Sequence, residues 1–293
     1  MAARIQPESA VLIGYAASEP EARPTGDPND LDRQNYRMDV AQTFIRLGAS
    51  GLQQIFDGSK DPTMIQISPH NEDRINPNQH AEQFLTASYC LLLKATSLWL
   101  EGLRGLEGFR ELAFFQKHEL RFMPSREFLL GCGIFVGTGA HQQNCLTVLK
   151  LNKLRSGSAT VSNIWGAAWD LHYSRLIDFG KGNNPILQIR PPAVFVTEDN
   201  RLADVLAATR SIAVGTMPDG QDIGYDGIHE EFFEPNQWVE VSAHLAIEND
   251  RISSGKGITV NAAATKSRYH IRHLQKRITG VVDERVLKNI GPE

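Results

Sequence analysis

A chain of 293 residues with 41% hydrophobic and 22% charged residues has the composition of an ordinary globular protein, which excludes a disordered, fibrous or collagen-like chain. Its length allows one large domain or two small ones. The net charge of −4 spreads no positive field over the molecule, so any contact with nucleic acid has to rest on a local basic patch.

The first residues, Met1 to Glu8, lack the positive-then-apolar pattern of a signal peptide, and no window reaches the roughly 20 apolar residues of a membrane span. A cytoplasmic protein with no membrane partner is expected. Residues 10–15 (AVLIGY) predict a strand, followed to about Asp32 by a loop rich in Pro, Glu, Asp and Gly. A helix is predicted over 32–47, ended by Gly48, and a short strand over 64–67.

The strongest periodicity lies in 78–103, where Ala81, Phe84, Leu85, Ser88, Leu92, Ala95 and Trp99 recur at helical spacing. Its wide apolar stripe predicts a central helix. A second helix, 106–120, is separated from it near Gly105 and Gly108. Next comes the run Gly131, Gly133, Gly137 and Gly139. Its spacing fits neither dinucleotide nor P-loop phosphate motifs, so these glycines point to tight helix packing or a bulged strand. The cysteines, Cys90, Cys132 and Cys145, are widely spaced in apolar surroundings without a C-x-x-C pair, as expected of core thiols in a reducing compartment.

Residues 162–177 predict a helix with Ile164, Ala168, Leu171 and Arg175 along one side. Trp165 and Trp169, at i and i+4, should pack as a pair in the core. Val194, Phe195 and Val196 form an apolar run suited to a buried parallel strand, which leads through Thr197, Glu198 and Asp199 into a helix marked by Leu202, Val205 and Leu206. Residues 215–227 read as a turn-rich connection, and 239–247 and 265–287 as two helices.

Acids just past the carboxyl end of a strand line the crevice where open α/β sheets bind ligands, which singles out Asp199. The plainer use of an Asp there is to cap the following helix. Together, the helix carrying Asp170 and the strand ending in Thr197-Glu198-Asp199 resemble the C-terminal half of PIN-like nuclease domains, over roughly residues 121–210. The resemblance implies an α/β fold, a PIN-like three-layer core with a parallel sheet and additional helices. It further implies a catalytic, metal-binding set of Asp170, Asp199 and Glu127 holding Mg²⁺ or Mn²⁺. Such a cluster would activate water and neutralise charge on phosphate oxygens. The family opens with a strand ending in Asp, whereas Val11-Leu12-Ile13-Gly14-Tyr15 ends without one. Asp170 has a structural alternative as a buried acid paired with Arg175 or His172, and Glu127 one as a charge at a helix start.

The concentrated positive run is Lys266, Arg268, His270, Arg272, His273, Lys276 and Arg277. Arg268, Arg272 and Lys276, spaced i, i+4, i+8, would form one stripe able to grip a phosphate backbone, or simply a solvated helix face. The expected organisation is a PIN-like domain over 1–215 with a C-terminal helical extension over 216–293. The expected function is a metal-dependent nuclease acting on RNA or DNA, of a toxin or defence type, partnered by nucleic acid and by a protein or a second copy of the chain. Two alternatives accompany it: a catalytically silent PIN-like interaction or assembly module, and an unrelated α/β enzyme acting on nucleosides or sugars.

Overall fold

The computed structural model describes residues 78–153, 157–179, 199–216, 222–254 and 256–282, with short pieces at 54, 57–59, 61 and 65–66. The predicted strands over 10–15 and 194–196 and the predicted helix over 32–47 lie outside the described residues, as does most of the strand expected over 64–67.

Helix α1, Asn78–Leu100, is the central helix foreseen from its periodicity. Tyr89, Cys90, Leu91, Leu92 and Leu93 are consecutive and all buried, as befits a helix enclosed on every side. It stops at Leu100 because Gly102 adopts φ 89°, a left-handed conformation that suits glycine at a helix end. Helix α2, Gly105–Phe114, passes without a break into a π-helical stretch, Phe115–Leu120. That wider winding closes at Arg121, itself left-handed at φ 58°, and turns Gln116 into the core.

All 12 residues of α3, Ser125–Val136, are buried. Two glycines of the run serve close helix packing. A Cβ at Gly131 would meet Leu112 Cδ2 at 2.3 Å, and one at Gly133 would meet Cys145 Sγ at 2.4 Å. Gly131 and Gly133 thus let α3 approach α2 and α4, Gly139–Val148. Helix α5, Gly157–Phe179, carries the expected tryptophan pair. Trp165 and Trp169 are both buried, meet edge to face at 6.2 Å, and Trp165 also packs on Tyr89 at 5.0 Å.

Helix α6, Asn200–Ala208, is followed by strands β1, Thr209–Thr216, and β2, Asp222–Ile228. They pair antiparallel, with Thr209 opposite Ile228 and Thr216 opposite Asp222. Helices α7, Pro235–Ser253, and α8, Val260–Thr279, complete the described chain. Thr259 caps α8, its Oγ1 accepting from Ala262 N–H at 3.2 Å. Helix α8 lies along α1, where Gln275 Nε2 donates to Tyr89 Oη at 3.0 Å. One apolar core runs from Leu85 to Leu274, so the segment expected as a helical extension shares its packing with the rest.

These findings correct the fold expectation. The described residues are mostly helical, and their sheet is a two-stranded antiparallel hairpin rather than the parallel sheet of a PIN-like three-layer α/β core. The physical reason lies partly in α3, whose long apolar run would suit a buried strand or a buried helix equally well by hydropathy alone. The other reason is local pairing: only five residues of sequence separate the observed strands, which permits an antiparallel hairpin and no crossover. Residues 215–227, expected as a turn-rich connection, include the end of strand β1 and most of strand β2.

Candidate functional site

The three acids singled out by sequence have different surroundings. Asp199 is exposed at the start of α6, and its Oδ1 accepts from the backbone N–H groups of Arg201 at 2.9 Å and Leu202 at 3.1 Å. That is the helix-cap use of the residue. Asp170 is half-buried on α5 between Trp169 and Leu171. Glu127 is fully buried near the start of α3, and both its oxygens accept from Arg175, at 2.5 Å from Nη2 and 3.3 Å from Nη1. Among the described residues no group of three or more His, Cys, Asp or Glu is arranged to hold a metal ion.

Glu127 belongs instead to a buried four-charge cluster joining α3, α5 and β2. Arg126 Nη1 donates to Ser174 Oγ at 2.7 Å, and Arg126 faces Asp226 with Nε–Oδ2 and Nη2–Oδ1 separations of 3.4 Å. Ser125 Oγ donates to Asp226 Oδ2 at 2.6 Å. The Arg175 guanidinium also lies over the Phe84 ring at 4.3 Å. Two cations and two anions cancel inside the protein. Taking them out of water is costly, and the two-pronged hydrogen bonding of Arg175 to Glu127 offsets part of that cost. Burial pulls the Arg126 guanidinium below its ordinary range, while neighbouring Asp226 pulls the other way. Nearby His172 is pushed down to about 3 by burial, reinforced by the Arg175 charge, so its imidazole is neutral near pH 7.

A second polar network ties α7 to the π-helical stretch. Gln116 Nε2 donates to Glu248 Oε2 at 2.9 Å and to Phe122 O at 3.3 Å. Gln116 Oε1 accepts from His244 Nε2 at 2.8 Å, and Arg251 donates to Glu248 Oε2 from Nε at 3.0 Å and Nη2 at 2.7 Å. Arg251 Nη1 also reaches Arg121 O at 3.2 Å, which fastens the left-handed residue in place. This network holds two helical segments together.

The thiols are equally enclosed. Cys145 Sγ lies 3.6 Å from His141 Nε2, a Cys–His approach that would be nucleophilic in an electropositive, accessible setting. Here burial drives all three thiols above their ordinary range and lowers His141, so thiol and imidazole both stay neutral.

The outer side of α8 is the contrasting place. Val260, Ala263, Ala264, Ser267, Ile271, Leu274 and Gln275 turn inward. This phase puts Tyr269, Arg272, His273 and Lys276 on the outside, with Lys266 and Arg268 half-buried on the flanks. The 20-residue helix carries Lys266, Arg268, Arg272, Lys276 and Arg277 and no acid. Glu119 lies 3.6 Å from His270, and Glu101 lies 2.8 Å from Arg277. Arg268 and Arg272 engage neighbouring groups as well. Lys94 adds a cation from α1, set over Phe115 at 5.2 Å, and Phe115 in turn contacts His270.

Sequence reasoning singled out this face and placed Arg175 on one side of its helix with Ile164, Ala168 and Leu171. It missed Ser125, Ser174 and Asp226, together with Gln116, His244, Glu248 and Arg251. One signal was available: Glu248 falls in phase with Val241, Leu245 and Ile252, which are all buried, so an acid at core spacing marks a buried network. No comparable signal marks Asp226, whose partners are about a hundred residues away in the chain. Compared with known proteins, the chain matches no family, no curated protein and no solved structure.

Proposed function

We propose that the protein binds nucleic acid through the outer face of α8, with the buried charge clusters acting as scaffold. The observation that carries this reading is the acid-free basic helix in a chain whose net charge is −4. Four helical residues advance about 6 Å, so Arg268, Arg272 and Lys276 offer cations at steps comparable to those between successive phosphates on a strand. Each phosphate contact releases counterions and makes binding salt-dependent. A membrane-surface role fits less well, because the apolar side of α8 is already packed inward. Among the described residues, moreover, no helix is long and apolar enough to cross a membrane. Three buried free thiols fit a reducing compartment, which supports a cytoplasmic setting.

Metal-dependent cleavage is a further step for which the described acids supply little support, since Glu127 is committed to Arg175 and Asp199 to its helix cap. The test is a titration of the full chain into labelled RNA and DNA across a salt series, with and without Mg²⁺ or Mn²⁺. Binding should weaken with salt, and the Arg268→Gln, Arg272→Gln, Lys276→Gln triple variant should bind less tightly. Its log–log salt slope should be shallower by roughly 0.7–0.9 for each phosphate that is no longer neutralised. Unchanged affinity and slope in that variant overturn the proposal. Metal-dependent cleavage would restore the nuclease reading.

A further inference from the structure

We infer that the α8 face is built for single strands, with a base stacking on Tyr269 while the cations beside it follow the backbone. This rests on the phosphate-binding reading above and names its substrate class. Tyr269 is 65% exposed, although the helix has an inward side that takes up its apolar residues. Single exposed aromatic residues are ordinary on protein surfaces; the company of this one is what matters. Arg268 and His270 flank it in sequence, Arg272 and His273 follow one turn later, and no acid lies on the helix. The His273 ring is 4.8 Å from the Tyr269 ring at 59°, and the His270 ring is 5.4 Å away at 78°. His270 is itself anchored by Phe115 and Glu119. The phenol thus stands among flat neighbours that restrict its rotation, so less freedom remains to be given up when a base settles on it.

Aromatic platforms among cations are how proteins hold single strands without reading sequence, since every base has a face. In a duplex those faces are covered by the neighbouring base pairs, and only the phosphates remain for the cations. The ring therefore adds affinity for single strands alone.

The experiment compares the full-length protein with its Tyr269→Ala and Tyr269→Phe variants, using labelled oligo(dT), oligo(U) and a DNA duplex of equal charge. Poly-glutamate serves as an acidic polypeptide control. The wild type should prefer the single strands. Tyr269→Ala should lose about tenfold on them with duplex affinity unchanged, and Tyr269→Phe should retain the preference. An unaltered melting temperature is expected for both, because the side chain is in water. Equal losses on single strand and duplex, or no loss on either, overturn the single-strand inference while leaving phosphate binding standing. Failure of the wild type to bind any nucleic acid overturns both. Poly-glutamate binding as tight as that of the oligonucleotides overturns both in favour of an acidic protein partner.

Discussion

The charges at the start of α3 and those along α8 use similar residue types to opposite ends. Around Arg126 and Arg175 each cation faces a carboxylate, both partners are buried, and the cluster is neutral as a whole. Along α8 the cations lie on a helix that carries no acid of its own, and most stand at the surface. A charge pair closed on itself fixes geometry and has little attraction left for a ligand. A row of cations near the surface adds little to stability but can recruit a polyanion. Stability should therefore respond to the first region and binding to the second.

The sharpest way to break this contrast is to remove one member of the buried pair. Glu127→Leu leaves Arg175 buried without its carboxylate and should cost about 3–5 kcal/mol, read as a fall in the urea midpoint. Adding Arg175→Met should recover most of that loss, because an apolar pair of similar bulk carries no desolvation cost. The α8 triple Gln variant, by comparison, should cost about 1 kcal/mol or less, since ion pairs near the surface are worth little.

Acid should expose the interior next. His172 is held at about 3 when folded against an ordinary 6.5, so the unfolded chain takes up the extra proton between those values. The contribution is present in full above about pH 6.5 and is lost as the pH falls toward 3, on the order of a few kcal/mol in total. His141, His244 and His270 are also lowered, chiefly by burial, and act in the same direction. Denaturant midpoints measured from pH 7 to pH 4 should decline, and His172→Leu should flatten the decline. An equal slope in that variant would remove His172 from the account.

Close helix packing should yield a smaller effect. Gly133→Ala places a methyl group against Cys145 and His141 and should cost about 1–3 kcal/mol, partly relieved by Cys145→Ala. Asp199→Ala should cost least, about 1 kcal/mol for removal of a helix cap. Nucleic-acid affinity should be unaffected by it. A loss of binding or of any metal-dependent activity in this variant would show that Asp199 does more than cap α6.

The helical elements were legible where apolar residues recur with a single phase. This holds for α1 and for the Trp165–Trp169 side of α5, whereas in α8 the legible feature was the basic stripe of Arg268, Arg272 and Lys276. Asp199 was also legible as a cap, because an Asp directly before a helical pattern has that local use. The parallel sheet was expected from the PIN-like resemblance and from the apolar run over 194–196, which lies outside the described residues. The buried charges were hidden for another reason. Glu127 and Arg175 are 48 residues apart, and the Ser125–Asp226 hydrogen bond spans 101, so no local spacing connects them. The β2 sequence, DIGYDGI, carries two glycines and two aspartates that suggest a turn. It is strand because β1 pairs with it along its length.

Complete burial of α3 also bears on how the molecule opens. With every residue of Ser125–Val136 buried, its backbone amides have no shallow route to exchange. They should become deuterated only when the whole core comes apart, while the ends of α8 fray on far shorter times. The exchange rate of α3 in native buffer thus gauges global opening. A ligand held on α8 would slow that rate by a factor of 1 + L/Kd, with L the free ligand concentration, if the outer helix must detach before the interior separates.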